Sequence, residues 1–273
     1  MAIEIDDPAD PRLADFVDLR DPDARRRLEG DEFFVAEGPV AIERLIASGH
    51  TIRAVLVTPA QHERLGHVLA GLDAPVYVAP RGVLATTVGF NLHRGAIASA
   101  RRRPGRSIPD VIATARRVVV LEGLNDPENL GAIARSARAL GVDALVLDPT
   151  CLDPYYRRAV RVSMGQILFM PVARATAWPG DLDRLHEAGF ETWALTPGDD
   201  ADDIWALDVP DRLALVLGAE GPGLASSTIR SATRRVRIPI TPGVDSLNVG
   251  AAAAVAFAVT QARGARTGGR AQT

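Results

Sequence analysis

The second half of the chain alternates short apolar runs with segments of helical periodicity, and this alternation limits the fold more than any other feature. Nearly every position in these runs is apolar, which is typical of strands covered by helices on both faces of a parallel sheet. The runs lie near residues 118–121, 144–147, 192–195, 213–217 and 236–240. The sequence therefore predicts an α/β domain with a parallel sheet.

A smaller α/β domain is predicted before it. Four short strands are indicated by FFVAEG, IRAVLVT, PVYVA and GAIASAR, with helical patterns between them. The stretch RRRPGRSIPDV then breaks all periodicity, as linkers do. Since 273 residues are enough for two domains, we expect an N-terminal domain at 1–106 with an acidic leader, a main domain at 107–264 and a flexible tail at 265–273.

Positive charge is concentrated in the smaller domain, although the whole chain has a net charge of −3. Residues 33–106 contain nine arginines and four carboxylates, a local balance of +5, and the chain has no lysine at all. Guanidinium groups pair with phosphates through two parallel hydrogen bonds and stack on bases. This domain is therefore expected to bind a polyanion such as RNA, and the alternative is an ordinary solvated surface.

Several classes of protein are excluded by what the sequence lacks. No apolar run approaches the roughly 18 residues needed to cross a bilayer, and the N-terminus is acidic where a signal peptide is basic. A single cysteine, Cys151, and five scattered histidines offer no set of ligands with metal-binding spacing. We expect a cytoplasmic protein with no membrane partner and no metal.

The segment NDPENLGAIARSARALG follows the first long apolar strand and predicts a capped helix. Asp126 is placed to cap it, Pro127 suits its first position, and Gly141 ends it. Asn129 and Arg135 fall outside its apolar stripe. These two side chains are therefore candidates for a functional role.

Two further turns follow apolar strands in the same way. One is LGAEGPGLA, and the other is TPGVDSLNVG, which leads into an alanine-rich helix. Because open α/β sheets bind ligands at the carboxyl ends of their strands, the three turns predict one shared pocket. The glycine pattern of a dinucleotide site is absent, and a P-loop is excluded because it needs lysine.

Together the three segments resemble the motifs of the SpoU branch of the SPOUT superfamily, RNA 2′-O-ribose methyltransferases that use S-adenosyl-L-methionine. The motifs span about half the chain, and RRAVRVSMGQILFMPV between them is also similar to the family's intervening segment. The resemblance implies a trefoil knot in the main domain, an N-terminal RNA-binding domain similar to a ribosomal protein, a homodimer, and ribosomal or transfer RNA as substrate. Ala219 departs from the serine that the family often has.

The resemblance also implies which residues act. The catalytic set would be Asn129, Arg135, Glu220, Ser246 and Asn248. The cofactor pocket would be lined by Leu195, Thr196, Leu217, Gly218, Ile238, Ser246 and Leu247. Because a guanidinium group is a hydrogen-bond donor only, Arg135 is expected to hold a phosphate and polarise the ribose hydroxyl, with Asn129 and Glu220 orienting it. The proton acceptor is left open.

Two other functions remain compatible with the sequence, and one basic segment has two interpretations. The chain is either the methyltransferase described, a catalytically idle relative that only binds RNA, or a knotted methyltransferase with a non-RNA substrate. The segment either contacts RNA or is a helix that packs its tyrosines and leaves its arginines in solvent; its residues are Tyr155, Tyr156, Arg157, Arg158 and Arg161. The helix of residues 247–262 is apolar almost all round, which predicts burial in a core or in a homodimer interface.

Overall fold

A computed structural model describes residues 2–17, 19–198 and 200–268. The chain divides into two compact units, and it passes from one to the other three times. The first unit consists of Met1–Pro104 and Pro154–Leu168, and the second consists of Gly105–Asp153 and Phe169–Thr273.

Strands and helices alternate along most of the chain. The strands are β1 (Ala2–Glu4), β2 (Phe33–Glu37), β3 (Ile52–Val57), β4 (Val76–Val78), β5 (Ala96–Arg101), β6 (Arg117–Glu122), β7 (Ala144–Leu147), β8 (Val172–Arg174), β9 (Glu191–Leu195), β10 (Asp202–Asp203), β11 (Leu213–Gly218) and β12 (Arg234–Arg237). The α-helices are α1 (Pro22–Glu29), α2 (Pro39–Ala47), α3 (Pro59–Leu69), α4 (Arg81–Val88), α5 (Ile108–Ile112), α6 (Pro127–Ala139), α7 (Arg157–Val162), α8 (Leu182–Glu187), α9 (Ser226–Ser231) and α10 (Val249–Gly268). Short 3-10 helices occupy Pro11–Phe16 and Gln166–Phe169.

The first unit is built on a mixed five-stranded sheet with the order β1-β4-β3-β5-β2. Strand β5 runs antiparallel to β2 and β3, and the other pairs are parallel. The four strands expected from the sequence are all present. The fifth, β1, comes from the acidic leader and is not predicted by the sequence pattern, because a strand of three residues is too short to show a period.

The segment Pro154–Leu168 belongs to the first unit although it lies between two strands of the second. Its Tyr155 ring stacks on Phe34, with 4.5 Å between ring centroids. The Arg157 guanidinium pairs with the buried carboxylate of Glu37 at 2.5 Å. Tyr155 is thus packed as the second interpretation of this segment expects, whereas Arg157 is paired with Glu37 of β2 and is not left in solvent.

The second unit contains a seven-stranded sheet with the order β10-β12-β9-β11-β6-β7-β8, in which every neighbouring pair is parallel. This confirms the α/β class with a parallel sheet. Strand β12 ends at Arg237, earlier than the expected range 236–240, because Pro239 has no N–H to donate to a sheet ladder. The trefoil knot implied by the resemblance stays a prediction.

Two long helices pack together beside this sheet. Helix α6 starts as expected: the Asp126 carboxylate accepts a hydrogen bond from the Glu128 N–H, and Pro127 takes the first position. Gly141 follows the helix with a φ of 73°. Helix α10 buries Phe257 on the side that faces α6 and β11. It continues to Gly268, so 265–268 of the expected tail are helical and 269–273 lie outside the described residues.

Candidate active site

The strand ends that carry the expected cofactor residues, those of β9, β11 and β12, lie side by side. Strands β12, β9 and β11 are consecutive in the sheet, and the Thr196 N–H at the end of β9 donates to the Val236 carbonyl of β12 at 2.9 Å. The structure thus brings five of the expected cofactor residues to one edge of the sheet. They are Leu195, Thr196, Leu217, Gly218 and Ile238.

The turn after β11 folds back onto the end of its own strand. A Cβ atom built on Gly218 would lie 2.2 Å from the carbonyl carbon of Gly223 and 2.4 Å from the Leu224 nitrogen. The Gly223 N–H closes the turn by donating to the Ala219 carbonyl at 3.0 Å. Only glycine at 218 permits this approach of two backbones, so the sheet edge here is built from main chain.

Three residues of the expected catalytic set form one hydrogen-bonded cluster, although each comes from a different motif. The Asn248 Nδ2 group donates to Asn129 Oδ1 at 2.9 Å and to Glu220 Oε1. The Asn248 Oδ1 atom accepts from the Ala251 N–H at 3.1 Å and so caps α10. Because a backbone N–H can only donate, this cap fixes which end of the Asn248 amide faces the other two residues.

Each of the other two side chains of the cluster has a second anchor. Asn129 is buried, with 6% of its surface exposed, and its Nδ2 group donates to Asp126 Oδ2 at 3.4 Å. Glu220 Oε1 also accepts the Val249 N–H at 3.4 Å. A carboxylate at the N-terminus of a long helix is favoured by the helix dipole. Asp126 therefore anchors Asn129, the Val249 N–H anchors Glu220, and the Ala251 N–H anchors Asn248.

Arg135 and Ser246 are not part of this cluster. Six residues of helix correspond to roughly 1.7 turns, so Arg135 projects about a third of a turn away from Asn129 on α6. Its side chain is exposed, and Asn129 and Glu220 are hydrogen-bonded to Asn248 instead of orienting it. Ser246 and Leu247 lie in the exposed loop 241–247, where Leu247 exposes 38% of its surface.

A buried carboxylate of the second unit is not among the residues expected from the sequence. Glu122 ends β6, and only 8% of its surface is exposed. It accepts hydrogen bonds from the Ala225 N–H and the Trp178 indole, at 2.7 and 2.8 Å, and from the Thr228 hydroxyl. The signal available in the sequence was an ionisable residue ending an otherwise apolar strand, VVVLE.

The one cysteine of the chain has a structural role. Cys151 Sγ donates to the Leu121 carbonyl and accepts from the Leu124 N–H, both at 3.2 Å. Burial is the main cause that raises the pKa of this thiol to about 12, so thiolate chemistry near neutral pH is excluded. No group of three metal-binding side chains occurs within the described ranges, and no helix there is long and apolar enough to span a bilayer.

These features define an α/β protein with a candidate ligand site at the carboxyl ends of a parallel sheet, formed by a folded-back glycine turn and a cluster of amides and a carboxylate. Residues 116–258, slightly more than half of the chain, match the model of the SpoU rRNA Methylase family. The chain therefore belongs to that family. The enzyme class expected from the motifs, an RNA methyltransferase of EC class 2.1.1, is confirmed.

Several known proteins are similar to this chain over most of its length. An uncharacterized tRNA/rRNA methyltransferase of Mycobacterium bovis is 48% identical over 93% of this chain and 90% of its own length. The 23S rRNA (guanosine-2′-O-)-methyltransferase RlmB of Salmonella typhi is 32% identical over 69% of this chain and 79% of its own. The crystal structure of an AdoMet-bound rRNA methyltransferase from Sinorhizobium meliloti covers 96% of this chain and 98% of its own, with a TM-score of 0.80. At 24% identity, that structure supports the fold.

Proposed function

We propose that the chain transfers the methyl group of S-adenosylmethionine to a ribose 2′-oxygen of ribosomal or transfer RNA. The observation that carries this proposal is the cluster of Asn129, Glu220 and Asn248, which joins the three motif turns at one sheet edge. An idle relative would have no need for a side chain from each turn in mutual contact. Family membership supports the same chemistry.

The methyl donor fits the edge formed by β9, β11 and β12. Gly218 leaves room only for backbone, and backbone N–H and carbonyl groups suit the recognition of an adenine and an amino acid tail. Ile238 is half-buried and Leu247 is exposed in the loop beyond, so both offer apolar surface, whereas Leu217 is buried and would contribute through its backbone. Bound there, S-adenosylmethionine supplies a methyl group already activated by its sulfonium. The protein then mainly has to orient the ribose hydroxyl.

Arg135 and Ser246 would meet the RNA. Arg135 is exposed, and its guanidinium is a planar cationic donor, so it binds the phosphate beside the target ribose and polarises the 2′-hydroxyl. Ser246 lies in the exposed loop that precedes Asn248, where it shapes the entrance for the substrate. Asn248 and Glu220 hold the end of that loop against Asn129.

RNA binding is supported by the surface of the first unit. Five arginines within residues 33–104 are exposed, namely Arg64, Arg81, Arg94, Arg101 and Arg103. Others serve the fold instead: Arg53 pairs with Asp15 at 2.8 Å. The exposed arginines are sufficient for several phosphate contacts, and the enzyme would work in the cytoplasm, where ribosomal and transfer RNA are found.

A homodimer is part of the proposal. On the side of α10 away from Phe257, Ala251 and Ala258 are exposed, and Val255 and Val259 are half-buried. An apolar helix face of this kind favours association with a second copy. Sedimentation at micromolar concentration is expected to give a species of twice the 29.0 kDa chain mass, and a monomer alone would refute this part.

Transfer of labelled methyl groups tests the function. Purified protein, labelled S-adenosylmethionine and either ribosomal or transfer RNA are expected to yield label that nuclease digestion releases as a 2′-O-methylnucleoside. Label on a base would contradict ribose as the acceptor. Label that survives ribonuclease treatment on a protein would contradict RNA as the substrate, and calorimetry showing no cofactor binding would contradict the enzyme itself.

A further inference from the structure

Glu122 joins three parts of the second unit that are distant in sequence. Its Oε1 atom accepts the Ala225 N–H, and its Oε2 atom accepts the Trp178 indole N–H and the Thr228 hydroxyl. These partners lie 103, 56 and 106 residues away from it. A buried carboxylate is costly unless donors surround it, and here all three contacts point at it from outside its own strand.

The contact with Ala225 anchors the far end of the turn after β11. Glu122 and Gly218 are directly paired in the sheet, so the carboxylate lies beside the point where the turn begins. The turn runs back across Gly218 and ends at Ala225, whose N–H is bound to Glu122. Both ends of residues 218–225 are thereby fixed to the end of β6.

The same turn carries Glu220, which is hydrogen-bonded to Asn248. A shift of the turn would therefore move both the backbone at Gly218 and the carboxylate of the polar cluster. We propose that Glu122 is a positioning residue for methyl transfer. It fixes the turn of residues 219–225 and so keeps Glu220 at a constant position relative to the cofactor edge, which consists of the carboxyl ends of β9, β11 and β12. This rests on the proposed function, because it assigns the cofactor to that edge.

A carboxylate is required because all of its partners donate. In Glu122→Gln, one oxygen becomes an NH2 group that faces either the Ala225 N–H or the Trp178 N–H, so two donors oppose each other. In Thr228→Val, the shape is kept but one of the donors is lost. Leaving a buried polar group unpaired costs about 1–3 kcal/mol, which corresponds to roughly 5- to 150-fold in an equilibrium constant.

The matched control is Asp148→Asn. Asp148 is also a buried carboxylate, at the end of the neighbouring strand β7, and it accepts the Thr150 and Cys151 N–H groups at 3.1 and 2.8 Å. Its partners lie outside the turn of residues 219–225. A loss of stability without a change at the cofactor edge is expected from this variant.

Calorimetric titration with S-adenosylmethionine and hydrogen exchange of residues 219–226 form the test. Glu122→Gln and Thr228→Val are expected to weaken cofactor binding about 10-fold or more and to speed exchange of the Ala225 amide, while residues 213–217 stay protected. Asp148→Asn should bind the cofactor as the wild type does. Unchanged affinity and exchange in Glu122→Gln and Thr228→Val would overturn the proposal, as would equal weakening in Asp148→Asn. A wild-type chain that binds no cofactor would instead refute the proposed function.

Discussion

Replacing Asn248 by aspartate should split the polar cluster while keeping the helix cap. Aspartate caps a helix as well as asparagine does, so the contact with the Ala251 N–H survives. The donor shared by Asn129 and Glu220 is lost, at about 1 kcal/mol for each hydrogen bond. A carboxylate now faces that of Glu220, and two charges about 4 Å apart repel by roughly 1 kcal/mol in water and 4 kcal/mol near a protein surface. Because the cluster is partly exposed, the repulsion should lie near the value in water. Together with the two lost hydrogen bonds, it should lower the free energy of unfolding by about 3 kcal/mol at neutral pH.

Urea unfolding at several pH values measures this loss. Protonating one of the two carboxylates restores a donor between them, so Asn248→Asp should recover stability relative to the wild type as the pH falls from about 7 to about 4. Asn248→Ala is the control, since it loses the cap and both hydrogen bonds but carries no charge, and its deficit should change little over this range. A variant Asn248→Asp that is as stable as the wild type at neutral pH would mean that the cluster does not form.

Three further predictions concern other residues. Arg135→Ala should leave stability within about 1 kcal/mol of the wild type and keep cofactor binding, yet lower single-turnover methyl transfer by roughly 10²- to 10⁴-fold. Arg135→Lys should not restore the transfer rate. Near-normal transfer by Arg135→Ala would remove Arg135 from the mechanism. Replacing both Arg81 and Arg94 by glutamine should reduce the slope of log K for RNA binding against log salt by about 1.5. Arg230→Gln in the second unit should leave this slope unchanged. Equal slopes for both variants would refute RNA binding by the first unit. Burial lowers the pKa of His50 from 6.5 to about 4. Between these two pH values the unfolded chain binds a proton at His50 and the folded chain does not, so the free energy of unfolding should fall by up to about 3 kcal/mol as the pH drops from about 6.5 to about 4. The His50→Phe variant should lack that part of the pH dependence, and an identical pH profile in denaturant titrations would contradict the burial of His50.

Most strands were predictable because burial on both faces leaves an almost continuous apolar run. The strands that were missed are β1, β8 and β10, which have three, three and two residues. So few residues show no period, and of the strands this short only β4 was predicted, because it lies in the apolar run PVYVA. The early end of β12 reflects Pro239, a local signal that was present in the sequence.

The three residues of the polar cluster could be predicted from the sequence because each of them lies in one of the three motifs. Asn129, Glu220 and Asn248 meet because three strand ends share an edge, which follows from a parallel sheet. The partners of Glu122 did not follow in this way, because Ala225 contributes only a backbone N–H, which no residue type signals, and Trp178 lies outside the three motifs. The position of Pro154–Leu168 in the first unit depends on similar long-range contacts, such as Arg157 with Glu37.

The central claim is that the three turns form one site for the methylation of ribose in RNA. Mass-spectrometric mapping of ribose methylation in RNA from cells with and without the gene tests it most directly. We expect one 2′-O-methylated nucleotide of ribosomal or transfer RNA to disappear with the gene, and to return with the wild-type chain but not with Arg135→Ala. Ribose methylation that is identical with and without the gene would contradict the claim.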